Sequence, residues 1–162
     1  MSLNPQLEAI TQKIIERSEK SRGAYLKQVA EDGKFQRLNK MSCARLAHGV
    51  AGCAKAEQSQ MLQEGHKNFG IVSAYNDILS AHEPFQHFPE IIKKTLKDLG
   101  HTCQMAAGVP AMCDGVTQGE VGMELSLFSR DLIAQSLSVG LTHRIFDGAL
   151  MLGICDKIVP GL

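Results

Sequence analysis

Apolar residues recur along this chain with two different periods, and the change of period divides it. Near the N-terminus Leu7, Ile10 and Ile14 return at spacings of three and four, behind Asn4 and Pro5. An asparagine cap followed by proline at the first helical position predicts a helix with one buried stripe. From Ser18 to Lys40 the chain is charged, with Tyr25, Leu26 and Val29 among its few apolar residues. That pattern predicts a second helix, then a loop around Gly33, and reads as an arm or a partner surface. The stretch SCARLAHGVAGCA, from Ser42, is small and weakly helical. Its short side chains suit either close packing or contact with a partner.

Further along, the segment FGIVSAYND places a β-rich apolar run, Phe69 to Tyr75, before Asn76 and Asp77, which predicts a buried strand with a polar end. A helix opening at Pro89 sets Ile91, Ile92, Leu96 and Leu99 on one side and Lys93, Lys94, Lys97 and Asp98 largely on the other, and Gly100 stops it. A second strand is expected from about His101 to Ala107. Ser129 is expected to cap a helix carrying Leu132, Ile133, Leu137 and Leu141. A third strand, Ala149 to Ile154, delivers Cys155.

Alternating strands and helices of this kind build a parallel sheet with right-handed crossovers. The expected fold class is therefore α/β, a three-layer sandwich with a mostly parallel sheet. Residues 1–66 form an N-terminal helical arm in this reading, and 67–162 the first part of the α/β domain. Ligand sites in such sheets gather beyond the carboxyl ends of the strands. Three polar clusters follow the strands: Asn76-Asp77, Cys113-Asp114-Gly115 and Cys155-Asp156-Lys157. All three are expected to face one edge.

Charge changes the picture little. Lys plus Arg and Asp plus Glu number 17 each, a formal net charge of zero, so nothing steers the chain toward nucleic acid or an anionic membrane. No apolar run approaches the roughly 20 residues that span a bilayer, and no signal peptide is visible, so a cytoplasmic location is the default. The five cysteines are odd in number and form no C-x-x-C pair, which argues against a disulfide framework and against a self-contained zinc site.

Thiolates suit iron-sulfur clusters, whereas carboxylates suit magnesium and other hard cations, and the third strand end offers both. Asp114 and Asp156 suit a divalent cation that keeps several waters. Lys157 ligates only as a carbamate, because an ammonium has no lone pair. Blander readings stand beside these. Cys43, Cys53 and Cys103 read as small apolar side chains. Asp114-Gly115 also suits a simple turn, and Asp156 and Lys157 also suit a solvated strand end. Gly115, Gly119 and Gly122, just before a helix, suggest a phosphate-cradling loop but match neither G-x-G-x-x-G nor G-x-x-x-x-G-K-(S/T). His82 and His87, within AHEPFQHFPE, suit an anion or substrate contact or a structural histidine.

The segments SAYNDILSAHEPFQHFPEII, GVPAMCDGVTQGEVGMELSLFSRDLIAQS and FDGALMLGICDKIVPGL resemble the iron-sulfur dihydroxy-acid and sugar-acid dehydratases. The resemblance extends from NPQL onward and is most specific from Asn76 to Leu162. It is nearest to members acting on a phosphorylated sugar acid. It implies a hydro-lyase that removes water from 6-phospho-D-gluconate to give 2-dehydro-3-deoxy-6-phospho-D-gluconate, in the Entner-Doudoroff pathway. It implies Cys155 as a cluster ligand, Asp114 and Asp156 as ligands of Mg2+ (or Mn2+), and Lys157 as a catalytic, metal-binding lysine carried as a carbamate. Iron would bind the hydroxyl on carbon 3, and magnesium would grip the carboxylate and the oxygen on carbon 2.

The 2Fe-2S branch of that family has a cysteine in a TPCN context, whereas LSAH here puts Ala81 at that position. A 4Fe-4S cluster is the expected type, with Cys113 open as a substitute ligand. Family members are several times longer. The chain is therefore expected to be an N-terminal fragment, inactive alone, with a further cluster cysteine, a serine base and a C-terminal barrel-like domain elsewhere. A homodimer is the family's expectation. Two rivals remain: a dihydroxy-acid or other sugar-acid dehydratase, and a non-catalytic redox or metal-binding module built on Cys155 and Cys113.

Overall fold

The computed structural model describes residues 4–32 and 41–162, so the expected loop around Gly33 lies outside the described residues. The chain divides into two units, Met1–Gln36 and Arg37–Leu162. Among its described residues the first holds one helix, α1 (Pro5–Asp32), which runs straight through the point where a second helix was expected. Asn4 caps it, its side-chain oxygen accepting from the Gln6 amide at 2.9 Å. Glu, Gln, Lys and Arg are good helix formers without any buried face, so a charged composition did not have to end the helix. Leu7, Ile10 and Ile14, expected to be buried, are each about half exposed.

In the second unit, α2 (Cys43–Ala51) starts at Ser42, whose hydroxyl accepts from the Arg45 amide at 3.3 Å. Three strands follow with helices between them: β1 (Asn68–Ser73), α3 (Phe88–Asp98), β2 (Thr102–Gly108), α4 (Asp114–Thr117), α5 (Phe128–Leu141), β3 (Gly148–Leu152) and α6 (Ile158–Gly161). The sheet is parallel throughout, in the order β2-β1-β3, with helices on both sides. The expected α/β architecture is present. Pairing with β2 runs from Asn68 opposite Thr102 to Ser73 opposite Gly108, with an irregularity between Ile71 and Val72. The central place of β1 explains why five of its six residues are buried, while the middle of the edge strand β3 is exposed.

The core lies where α5 and α6 meet the sheet. Val72, Ala74, Val109, Ile133 and Ile158 form it, with Leu137, Leu141 and Leu162 packed against it. Gly140 allows α5 to reach the sheet, because a Cβ there would lie 2.7 Å from the Ala107 methyl. Two helix faces differ from expectation. In α3 Pro89, Ile92 and Leu96 turn partly inward, and Ile91 and Leu99 are exposed. In α5 the inward stripe is Ile133, Leu137, Gly140 and Leu141, and Leu132 is exposed. Ser129 is not the cap of α5. A 3-10 turn at Val121–Leu125 brings the chain in early, the helix begins at Phe128, and the buried Ser129 hydroxyl donates instead to the Ser126 carbonyl at 2.6 Å.

Candidate functional site

The carboxyl ends of the strands stay tied together past the sheet: the Ala74 amide donates to the Leu152 carbonyl at 2.9 Å, and the Val109 amide to that of Ser73 at 3.0 Å. The segments leaving β2 and β3 therefore begin side by side, which is the geometry that lets residues more than forty positions apart share a site.

Lys157 is the hub of that edge. It is buried, and its ammonium donates to Asp114 Oδ2 and to Asp156 Oδ1, the latter at 2.9 Å. Asp114 opens α4, beyond β2, whereas Asp156 and Lys157 follow β3. Two carboxylates from separate strand ends thus converge on one nitrogen. The Lys157 hydrogen bond, then that of Ser126, hold the Asp114 carboxyl below the usual carboxylate range, and Asp114 followed by Asp156 hold Lys157 above the usual lysine range.

Cys155 adjoins this group in sequence and faces a different partner. Its Sγ lies 3.7 Å from His82 Nε2. His82 is fully buried and its Nδ1 lies 2.9 Å from the Ala74 carbonyl, which only accepts, so Nδ1 carries the proton and Nε2 offers its lone pair to the thiol. Burial holds the Cys155 thiol above its ordinary range, and Cys113 and Asp156 add to this. The Cys155 backbone has φ 79°, a left-handed conformation that costs a side-chain-bearing residue energy. Strain of this kind marks a place where the surroundings dictate the backbone.

Of the three expected clusters, two meet. Asp114, Asp156 and Lys157 are in direct contact, and Cys155 lies beside them. Asn76 and Asp77 turn their side chains inward on their own loop, Asn76 accepting from the Ile78 amide at 3.0 Å and Asp77 from the Tyr75 hydroxyl. The β1 end reaches the site through His82 instead, and His87 is exposed. Sequence reasoning weighed His82 without a partner and missed Ser126 altogether. Ser126 is buried, and its hydroxyl donates to Asp114 Oδ1 at 2.7 Å. The two lie twelve positions apart, across the end of α4 and a 3-10 turn, and no periodicity links them.

The other cysteines divide by burial. Cys53 and Cys103 are buried, and desolvation pushes the Cys103 thiol up to about 11, whereas Cys43 is exposed on the first turn of α2 and is not the small core residue expected.

Among the described residues no three His, Cys, Asp or Glu side chains group closely enough to hold a metal by themselves. The oxygens of Asp114 and Asp156 are of the kind that suit a hard cation, but here the Lys157 ammonium takes the place between them. Two carboxylates surround a positive charge, and a carbamate on the lysine would add oxygen donors. For a cluster, the chain offers the Cys155 thiol, with that of Cys113 close enough to act on it electrostatically. No helix among the described residues is long and apolar enough to cross a membrane.

Residues 66–162 match the family model described as dihydroxy-acid/6-phosphogluconate dehydratase N-terminal. Phosphogluconate dehydratase of Escherichia coli (strain K12) is 52% identical over 162 residues, covering 99% of this chain and 27% of the relative. That of Pseudomonas aeruginosa is 51% identical over 161 residues, covering 99% and 26%. A dihydroxy-acid dehydratase of Caldicellulosiruptor bescii is 35% identical over 92 residues, covering 57% and 16%. The chain spans about a quarter of the length of the curated relatives it matches. With the parallel sheet and the paired strand-end carboxylates, this match places the chain in the dihydroxy-acid/6-phosphogluconate dehydratase family, as its N-terminal domain.

Proposed function

We propose that this chain is the N-terminal part of a hydro-lyase that converts 6-phospho-D-gluconate to 2-dehydro-3-deoxy-6-phospho-D-gluconate. The observation that carries the proposal is the convergence of Asp114 and Asp156 on Lys157, with the Cys155 thiol on the adjoining residue. Removing water from a vicinal diol acid requires charge stabilisation at the acid end and help for a departing hydroxyl, and both must act within one small substrate. Hard oxygen donors and a soft sulfur at one strand end meet that spatial requirement.

In this reading Asp114, Asp156 and a carbamylated Lys157 hold magnesium, and Cys155 holds one corner of a 4Fe-4S cluster. When bound, these groups supply Lewis acidity toward the carboxylate and toward the leaving hydroxyl. The protein's own part is placement. Ser126 and Lys157 each take one oxygen of Asp114, and His82 ties the Cys155 thiol to the end of β1. Near-complete coverage of the chain at about 50% identity by phosphogluconate dehydratases supports the phosphorylated sugar acid over a dihydroxy acid, for which the match covers 57% of the chain. Exposed Val121, Leu125, Leu127 and Phe128, flanking Ser126, support a site completed by further chain. A cytoplasmic homodimer belongs to the same proposal.

The test is turnover by the full-length protein, prepared without oxygen and supplied with Mg2+, on 6-phospho-D-gluconate and on a 2,3-dihydroxy-3-methyl acid. Faster dehydration of the sugar acid is expected. Preference for the branched acid would transfer the assignment to the dihydroxy-acid branch, and dehydration of neither would reject the enzymatic reading.

A further inference from the structure

Ser126 decides how Asp114 faces the site. A carboxylate at the start of a four-residue helix has two oxygens that can exchange places, and nothing in α4 itself prevents this. The exchange is stopped from outside α4. The Ser126 hydroxyl donates to Oδ1 at 2.7 Å, while Oδ2 receives the Lys157 ammonium. Ser126 is itself held. It is 5% exposed, its amide donates to the Met123 carbonyl at 3.0 Å, and its carbonyl accepts the buried Ser129 hydroxyl at 2.6 Å. On the other side of Asp114, the Thr117 hydroxyl donates to the Cys113 carbonyl at 3.1 Å. The loop from Cys113 to Ser129 is thus pinned by hydroxyl groups on both sides of the aspartate, and α5 anchors the far end.

We infer that Ser126 is a positioning residue of the cation site: with Lys157 carbamylated and its ammonium gone from Oδ2, the Ser126 hydroxyl on Oδ1 leaves Asp114 only Oδ2 to offer a cation. The inference rests on the reading of Asp114 as a metal ligand. One-oxygen ligation suits the strict octahedral demand of magnesium or manganese, whereas calcium tolerates two oxygens of one carboxylate and irregular geometry. With the serine hydroxyl gone, Oδ1 is free, the carboxylate turns, and the preference for the smaller cation weakens. Outer partners of this kind are typically worth about 10–100-fold in metal affinity.

The test is Mn2+ binding to the full-length protein, read from the electron paramagnetic resonance of unbound Mn2+, with Ca2+ as competitor. Ser126→Ala is expected to bind Mn2+ about 10–100-fold more weakly and to discriminate less against Ca2+, with Ser126→Thr, which keeps the hydroxyl, close to the parent. Should the alanine variant fold poorly, Ser126→Cys keeps the volume with a much weaker donor and is expected to fall in the same direction. Parental Mn2+ affinity and selectivity in Ser126→Ala, with binding lost in Asp114→Asn, would overturn the role of Ser126 alone. Undiminished binding in Asp114→Asn would instead overturn the metal-ligand reading, and this inference with it.

Discussion

At the amino end of the sheet, the fully buried Asn68 donates to Gln104 Oε1 at 2.9 Å and to the Ile145 carbonyl at 3.3 Å, and accepts from the Thr102 hydroxyl at 2.8 Å. His66 lies 2.9 Å from the same hydroxyl, and Gln104 donates onward to the Gly49 carbonyl at 3.1 Å. At the carboxyl end, Lys157 is buried to a similar degree, but its partners are charged, and the Asp156 side chain is 80% exposed. Both ends carry buried polar groups that must be satisfied. The amino end does this chiefly with amides, hydroxyls and carbonyls, and with one carboxylate, Asp147, which accepts from the Asn68 backbone amide at 2.8 Å. The carboxyl end does it with full charges around an opening to solvent. A mostly neutral network, with Asp147 at its margin, holds the connections before β1, β2 and β3 together, whereas at the other end the joining groups are themselves charged.

That contrast can be broken most severely at Lys157. Lys157→Met is expected to lower 6-phospho-D-gluconate turnover by the full-length protein by on the order of 10³-fold, because Asp114 and Asp156 lose the group that joins them. The urea midpoint should move little, since Asp156 is solvated and Asp114 half-exposed. Steady-state kinetics beside urea unfolding checks both halves, and near-normal turnover would remove Lys157 from the chemistry.

Asn68→Ala should do the reverse. It removes one of two partners from the Thr102 hydroxyl and from the Gln104 side chain, leaves the Ile145 carbonyl without the Asn68 amide, and is expected to cost about 1–3 kcal/mol of stability. The fraction that remains folded should keep its turnover per molecule. A cost below about 0.5 kcal/mol, the range of ordinary surface substitutions, would show that the amino-end network is not what holds the connections.

The smallest effect sharpens the comparison within one residue. Cys155→Gly and Cys155→Ala both remove the thiol, so both should lose the cluster. Glycine accepts φ 79° without strain. The glycine variant should therefore be more stable than the alanine variant by about 1 kcal/mol. Equal thermal midpoints would mean that the left-handed backbone at Cys155 stores nothing.

β1 was legible as a short β-rich apolar run with a polar end, β2 and β3 by their place after helices and before polar clusters, and the parallel sheet followed from that alternation. Helix faces were less legible. Ile91 and Ile92 are neighbours of equal hydrophobicity, and only the line along which α3 crosses the sheet selects Ile92. Likewise Ser129 has the chemistry of a cap, but the 3-10 turn ahead of it starts α5 two residues sooner and redirects its hydroxyl. The stripe of α1 was legible as a pattern, yet a pattern states only that a face is apolar, and Leu7, Ile10 and Ile14 are exposed.

The residue string by itself determined that Cys155, Asp156 and Lys157 would emerge together from a strand, since neighbours in a chain stay within a few ångströms whatever the fold. It also determined that this end would bring sulfur and oxygen donors to the same place. Only the tertiary structure decided that Lys157 meets Asp114, that His82 faces Cys155, and that Ser126 fixes which oxygen of Asp114 is offered. Those pairings join residues 12 to 73 positions apart. They arise because parallel strands start their exit loops side by side, and a shared strand edge leaves no imprint on the spacing of the residues it brings together.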